Sequence, residues 1–145
     1  MSRAYPLHPR VGVGIVVLRR DPAAVLLIRR GQPPNAGAWA LPGGGQELGE
    51  TMERTARREL MEECGILTGP LLLAGVVDSI HTDALGRVQF HYAIVDYATL
   101  WTGQAPVAGS DAEAVAWAEL DDLSRYALWS EALRIISLAR GLLSL

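Results

Sequence analysis

Three consecutive glycines behind a proline, Pro42-Gly43-Gly44-Gly45, stand a few residues before a stretch, 51–64, that has neither glycine nor proline and ends on Gly65. Glycine reaches backbone angles closed to other residues and lets other groups approach the chain closely. Helix formers dominate the stretch that follows. The pattern predicts an irregular loop feeding a helix over 51–64. Thr51 stands at its N-cap, although Arg54 occupies the place where a capping box carries Glu or Gln, and Gly65 stands at C′. At 100° per residue, Ala56, Leu60 and Cys64 form one apolar stripe, with Glu59, Glu62 and Glu63 beside it over roughly a quarter of the circumference.

Six of the nine glutamates fall between Glu47 and Glu63. Carboxylates crowded on the edge of a partly buried helix repel one another, and a hard cation such as Mg²⁺, which prefers oxygen ligands, removes that penalty. The alternative is a solvated acidic face, with Arg58 paired to Glu62 one turn on. All 13 basic residues are arginine. The lack of lysine excludes a Walker-type phosphate lysine, a Schiff base and a lysine general base. A formal net charge of −3 makes nucleic acid or an anionic membrane an unsuitable partner.

The length of 145 residues suits one domain, 1–145. Residues 11–18 and 24–28 read as strands, β-branched and almost continuously apolar, as strands covered on both faces are. A turn at Arg20-Asp21-Pro22 joins them, and 31–37 is a loop. Residues 39–41 form a short strand, 71–80 and 87–97 a hairpin turning at 83–86, and 114–119 a further strand. Val88, Phe90, Tyr92 and Ile94 share one face of the hairpin's second strand. An amphipathic helix over 129–140 closes at Gly141. The order predicts a mixed α/β domain. The longest apolar runs, 11–18 and 71–77, are too short to cross a bilayer, and residues 1–10 carry no secretory pattern. The lone cysteine, Cys64, forms no internal disulfide, which points to a reducing cytoplasm.

From Gly44 the sequence runs five residues to Glu50, seven more, then Arg58-Glu59-Leu60-Met61-Glu62-Glu63-Cys64-Gly65-Ile66. This resembles the Nudix box, G-x5-E-x7-R-E-U-x-E-E-x-G-U with U a bulky aliphatic, at all nine specified positions. Leu41-Pro42-Gly43-Gly44 and the later Ala116–Leu120 strand with Asp121-Asp122-Leu123 are similar to the family as well. The resemblance implies an α/β/α sandwich, a mixed β-sheet between helices, and a MutT-like hydrolase that uses Mg²⁺ or Mn²⁺ to cleave a pyrophosphate in a small nucleotide-like substrate. It implies Glu59 and Glu63 as principal metal ligands, assisted by Glu62 and the Gly43 carbonyl. Glu50 and Arg58 organise loop and helix. Gly43 and Gly44 let backbone approach phosphate. The general base varies in the family: Glu59 is one candidate, and an acid of the loop before Trp117 is the other, Asp111 or Glu113, with Asp111 preferred. Relatives are often homodimers.

Outside the box, Arg29 and Arg30 end a strand near the expected site and either bind phosphate or remain solvated. Trp39, Phe90, Tyr92, Tyr97 and Trp101 either stack on a nucleobase or fill the core. His81 and His91 lack an evident carboxylate partner, and Cys64 reads as core. Among subfamily marks, Thr82 and Asp83 stand where ADP-ribose and dinucleoside polyphosphate enzymes tend to carry Pro and Tyr. The array of NADH pyrophosphatases is absent, and Leu26-Leu27-Ile28-Arg29 echoes the coenzyme A signature faintly. General similarity favours a nucleoside diphosphate-sugar such as ADP-ribose, or a nucleoside triphosphate. Two rivals share the fold: a non-catalytic nucleotide sensor, a kind that typically loses box acids kept here, and an isomerase, for which Cys64 is misplaced.

Overall fold

A computed structural model describes residues 3–145; Met1 and Ser2, the start of the 1–145 domain expectation, lie outside the described residues. Strands β1 (Arg10–Arg20), β2 (Ala23–Arg30), β3 (Trp39–Ala40) and β4 (Gly43–Gly45) precede helix α1 (Met52–Cys64). Then come β5 (Leu72–Thr82), β6 (Val88–Leu100), β7 (Ala112–Glu119), a 3₁₀ segment (Leu120–Tyr126) and α2 (Ser130–Leu143). The seven strands form one mixed sheet, ordered β3-β2-β1-β6-β5, with β4 on β1 and β7 on β2. Strand β1 is parallel to β6 and antiparallel to β2.

Alternation along β1 explains the layers. Val13, Ile15 and Val17 face α1, where Ala56, Leu60 and Cys64 cover them. Val16 and Leu18 face the opposite way, onto Ile135, Ile136 and Ala139 of α2. The sheet therefore lies between the two helices, as the α/β/α expectation requires, and the continuous apolarity of β1 and β2 follows from burial on both faces. Among the described residues no helix is long and apolar enough to cross a membrane.

The structure departs from expectation in two places that matter. Gly43–Gly45 is a strand rather than a loop, paired antiparallel with Gly12–Gly14 of β1. Strands β1 and β2 pair at Leu18–Arg20 and then part. The chain from Trp39 to Gly45 fills the opening, pairing first with β2 and then with β1. Helix α2 runs through Gly141 to Leu143 and ends at Ser144, which takes the left-handed conformation. One exposed glycine costs a helix only about 1 kcal/mol, less than the packing that carries α2 past it.

Candidate active site

Helix α1 begins and ends as its sequence dictates. Thr51 Oγ1 accepts from Arg54 N at 3.2 Å, and Gly65, at φ 66°, donates to the Met61 carbonyl. Its last carbonyls are held from outside: Val107 N donates to Cys64 O at 2.9 Å and Gly109 N to Glu63 O at 2.8 Å. Helix and glycine strand meet at the carboxylates. Gly43 N donates to Glu63 Oε1 at 2.7 Å. A Cβ on Gly44 would fall closer than 3.0 Å to the Glu59 carboxyl group, so only glycine permits this approach.

Arg58 ties the arrangement together. It grips Glu50 with two bonds, Nε to Oε2 at 2.7 Å and Nη2 to Oε1 at 3.0 Å, and donates to Gly45 O at 3.1 Å. Its Nη1 donates to Glu59 at 2.9 Å and Glu62 at 3.2 Å. Thr55 Oγ1 and Glu47 N complete the shell of Glu50. The guanidinium first, then Thr55, hold the Glu50 carboxyl down to about 2. Glu59 and Glu63 differ, being 9% and 6% exposed. Burial raises Glu59 against the pull of Arg58. Burial also pushes Glu63 up to about 7, with Glu59 and Asp111 adding to the rise and the Gly43 N–H and Arg30 opposing it. Paired carboxylates so placed need positive charge, and an all-oxygen donor set suits a hard divalent cation. Among the described residues no three such side chains converge into a ready metal cluster. Arg58 Nη1 bonds Oε1 of Glu59 and reaches both oxygens of Glu62, so a cation would meet acids already oriented by the guanidinium.

The remaining expected residues divide. Arg30 lines a cleft of about 520 Å³ that runs along Gly43, Gly44 and Gly45. Its Nε donates to Pro34 O at 2.8 Å. Arg29 is instead paired with Glu113 at 3.4 Å on an exposed surface. Asp111 is exposed, its carbonyl accepting from Gly31 N at 3.1 Å, and its charge is felt at Glu63. Trp39, Phe90 and Tyr92 line the cleft, whereas Tyr97 and Trp101 pack into the core beneath α1. His81 lines the cleft edge-on to Phe90. Cys64 is buried, and burial pushes its thiol up to about 12.

Among the cleft residues that the sequence does not point to are Arg3, Trp129 and Asp96. Asp96 had a signal, since it continues the two-residue alternation of Phe90, Tyr92 and Ile94. Arg3 reaches toward Gly45 from the chain's beginning and its charge is felt at Glu59.

Comparison with known proteins gives the family and the fold. The NUDIX domain model matches residues 8–139. An ADP-ribose pyrophosphatase of Methanocaldococcus jannaschii is 36% identical over 121 residues, 83% of this chain and 68% of that one. A MutT NUDIX hydrolase from Burkholderia pseudomallei superposes with a TM-score of 0.75 at 34% identity, covering 90% of this chain and 98% of that one. The NUDIX domain of Shewanella oneidensis NrtR, solved with ADP ribose, superposes with a TM-score of 0.79 at 27% identity, covering 94% and 89%.

Proposed function

The chain belongs to the NUDIX family and is a hydrolase of nucleoside diphosphates linked to another moiety; from this premise we propose that residues 1–145 form one such domain, acting in the cytoplasm on ADP-ribose, a related nucleotide sugar or a nucleoside triphosphate. The observation that carries the reading is the pair of buried carboxylates, Glu59 and Glu63, set against the glycine strand. Glu59, Glu63, Glu62 and the Gly43 carbonyl would hold Mg²⁺ or Mn²⁺. When bound, such an ion offsets the charge of the pyrophosphate and makes water a better nucleophile.

This chain's own residues do the rest. Gly43 and Gly44 leave room for phosphate oxygens to lie along bare backbone. Arg58 keeps the helix carboxylates and the Gly45 carbonyl in fixed relation, so it positions the acids. Arg30 supplies positive charge at the cleft. A water oxygen attacks one phosphorus, the bridging P–O bond breaks, and the proton of the water passes to a carboxylate, Glu59 or Asp111. Two phosphorylated products leave.

Phosphate release across a panel of nucleoside triphosphates, ADP-ribose, other nucleotide sugars, NADH and dinucleoside polyphosphates, with Mg²⁺, Mn²⁺ or EDTA, tests the reading. Metal-dependent turnover of one group is expected, with Glu59→Gln and Glu63→Gln each losing orders of magnitude in kcat while remaining folded. Wild-type rates in both variants would reject the ligand assignment. Asp111→Asn distinguishes the two bases: full activity leaves Glu59. The likeness to the NrtR domain solved with ADP ribose favours a second reading, a binding module, to which absence of turnover with every metal would point.

A further inference from the structure

Asp96 lies on the wall of the cleft and is 4% exposed, yet among the described residues no hydrogen bond or ion pair reaches its carboxylate. Only the more distant charge of Arg134 acts on it. Its oxygens are not sealed off, since among the described residues the buried side-chain atom without a partner is Thr99 Oγ1; an otherwise buried carboxylate that opens only onto the cleft is an acceptor aimed at whatever fills it. The chain makes space for it: a Cβ on Gly14, its neighbour on β1, would fall closer than 3.0 Å to Asp96 Oδ1. The nearby wall is largely apolar, built from Phe90, Tyr92 and Ile94 of the same strand face and from the indole of Trp39. An acceptor among such surfaces fits a planar ring that carries a polar donor at its edge.

Position relative to the carboxylates of α1 narrows the choice. Asp96 pairs with Gly14, and Gly14 with Gly43. Two strand spacings therefore separate Asp96 from Gly43, roughly 10 Å. That span is of the order of the reach from the phosphates of a nucleotide to the outer edge of its base. We propose that Asp96 determines base specificity by accepting a hydrogen bond from the exocyclic amino group of a nucleobase lodged in this cleft. The inference rests on the nucleotide-hydrolase reading and subdivides its substrates by base. Burial pushes the Asp96 carboxyl up to about 6, so at neutral pH it is chiefly an acceptor, suited to an amino donor. His81, Tyr92, Arg30, Glu131 and Arg3 are the other titratable groups on the cleft among the described residues.

The test is calorimetric titration of the full chain in EDTA, so that binding is read without turnover. The probes are nucleoside monophosphates in pairs that differ at the amino group: AMP against purine riboside 5′-monophosphate, GMP against IMP, and CMP against UMP. At least one pair is expected to favour the amino-bearing member by about 10-fold or more, as a hydrogen bond to a charged acceptor gives. Asp96→Ala is expected to bring that pair to near equality by weakening only the amino-bearing member. Asp96→Asn keeps the shape with a weaker acceptor and should report a smaller change of the same sign, which covers the case of an unfolded alanine variant. The proposal is overturned if no pair is discriminated, or if discrimination survives in both variants. Failure of hydrolysis with this ranking intact would count against the hydrolase reading alone.

Discussion

Gly44 and Glu59 touch as backbone against carboxylate, so closely that no side chain fits between them. The glycine strand is thus a bare shelf on which an acid of α1 rests, and the two elements position one another.

Replacing Gly44 by alanine should push the Glu59 carboxyl group aside by an amount comparable to a methyl group. A displacement of about 1 Å in a reacting group can cost 10²-fold in rate. Gly44→Ala is expected to lose activity on that scale while its far-ultraviolet circular dichroism stays unchanged. A variant with wild-type kcat would show that Glu59 needs no such placement.

The acid limb of stability should report the Arg58–Glu50 pair. Glu50 is held at about 2 in the folded chain against an ordinary value of 4.5. A depressed carboxylate stabilises the fold above its unfolded value and loses that contribution as pH falls from about 4.5 toward 2. Urea midpoints measured over this window should therefore fall steeply with acid in the wild type. Arg58→Ala should begin lower at neutral pH and change less.

Asp96 predicts the opposite sign. Burial raises it from 3.8 to about 6, so its ionisation opposes folding increasingly as pH rises through that interval. Two units correspond to about 3 kcal/mol. Asp96→Asn should be more stable than wild type by up to that amount at pH 7, with the gap closing below pH 4. Equal denaturation midpoints at both pH values would contradict the burial of this acid.

Cys64 should be inert to a thiol reagent in the native chain, because it is buried on the sheet-facing stripe of α1 and its thiol is pushed up to about 12. One equivalent should react after unfolding in urea. Rapid labelling of the native chain would mean that the last turn of α1 opens readily.

Much of this was legible in the sequence because local and tertiary signals agree there. Thr51, Gly65 and the Ala56–Leu60–Cys64 stripe define α1 without reference to the rest of the chain, and β1 and β2 declare burial on both faces by their apolarity. Strand β4 was not legible: glycine has no strand preference, and its pairing depends on the parting of β1 and β2. The 3₁₀ segment after β7 is kinked at Asp122 and shows no period to read. Alternation from Phe90, Tyr92 and Ile94 gives the face of Asp96, but that the face lines a cleft and that Gly14 makes room for the carboxylate are tertiary facts. Arg29 and Arg30 are indistinguishable in sequence, and only alternation across the bulge at β2's end sends one to Glu113 and the other to the cleft.

The bonds from Val107 and Gly109 to the last carbonyls of α1 have a mechanical consequence. The loop that carries Asp111 is fastened to the very turn that carries Glu63, and a Cβ on Gly109 would collide with the Glu62 carbonyl. Helix end and loop form a single lever with an acid on each arm. Any pull on the loop is delivered to Glu63, and lengthening the loop would slacken both arms together.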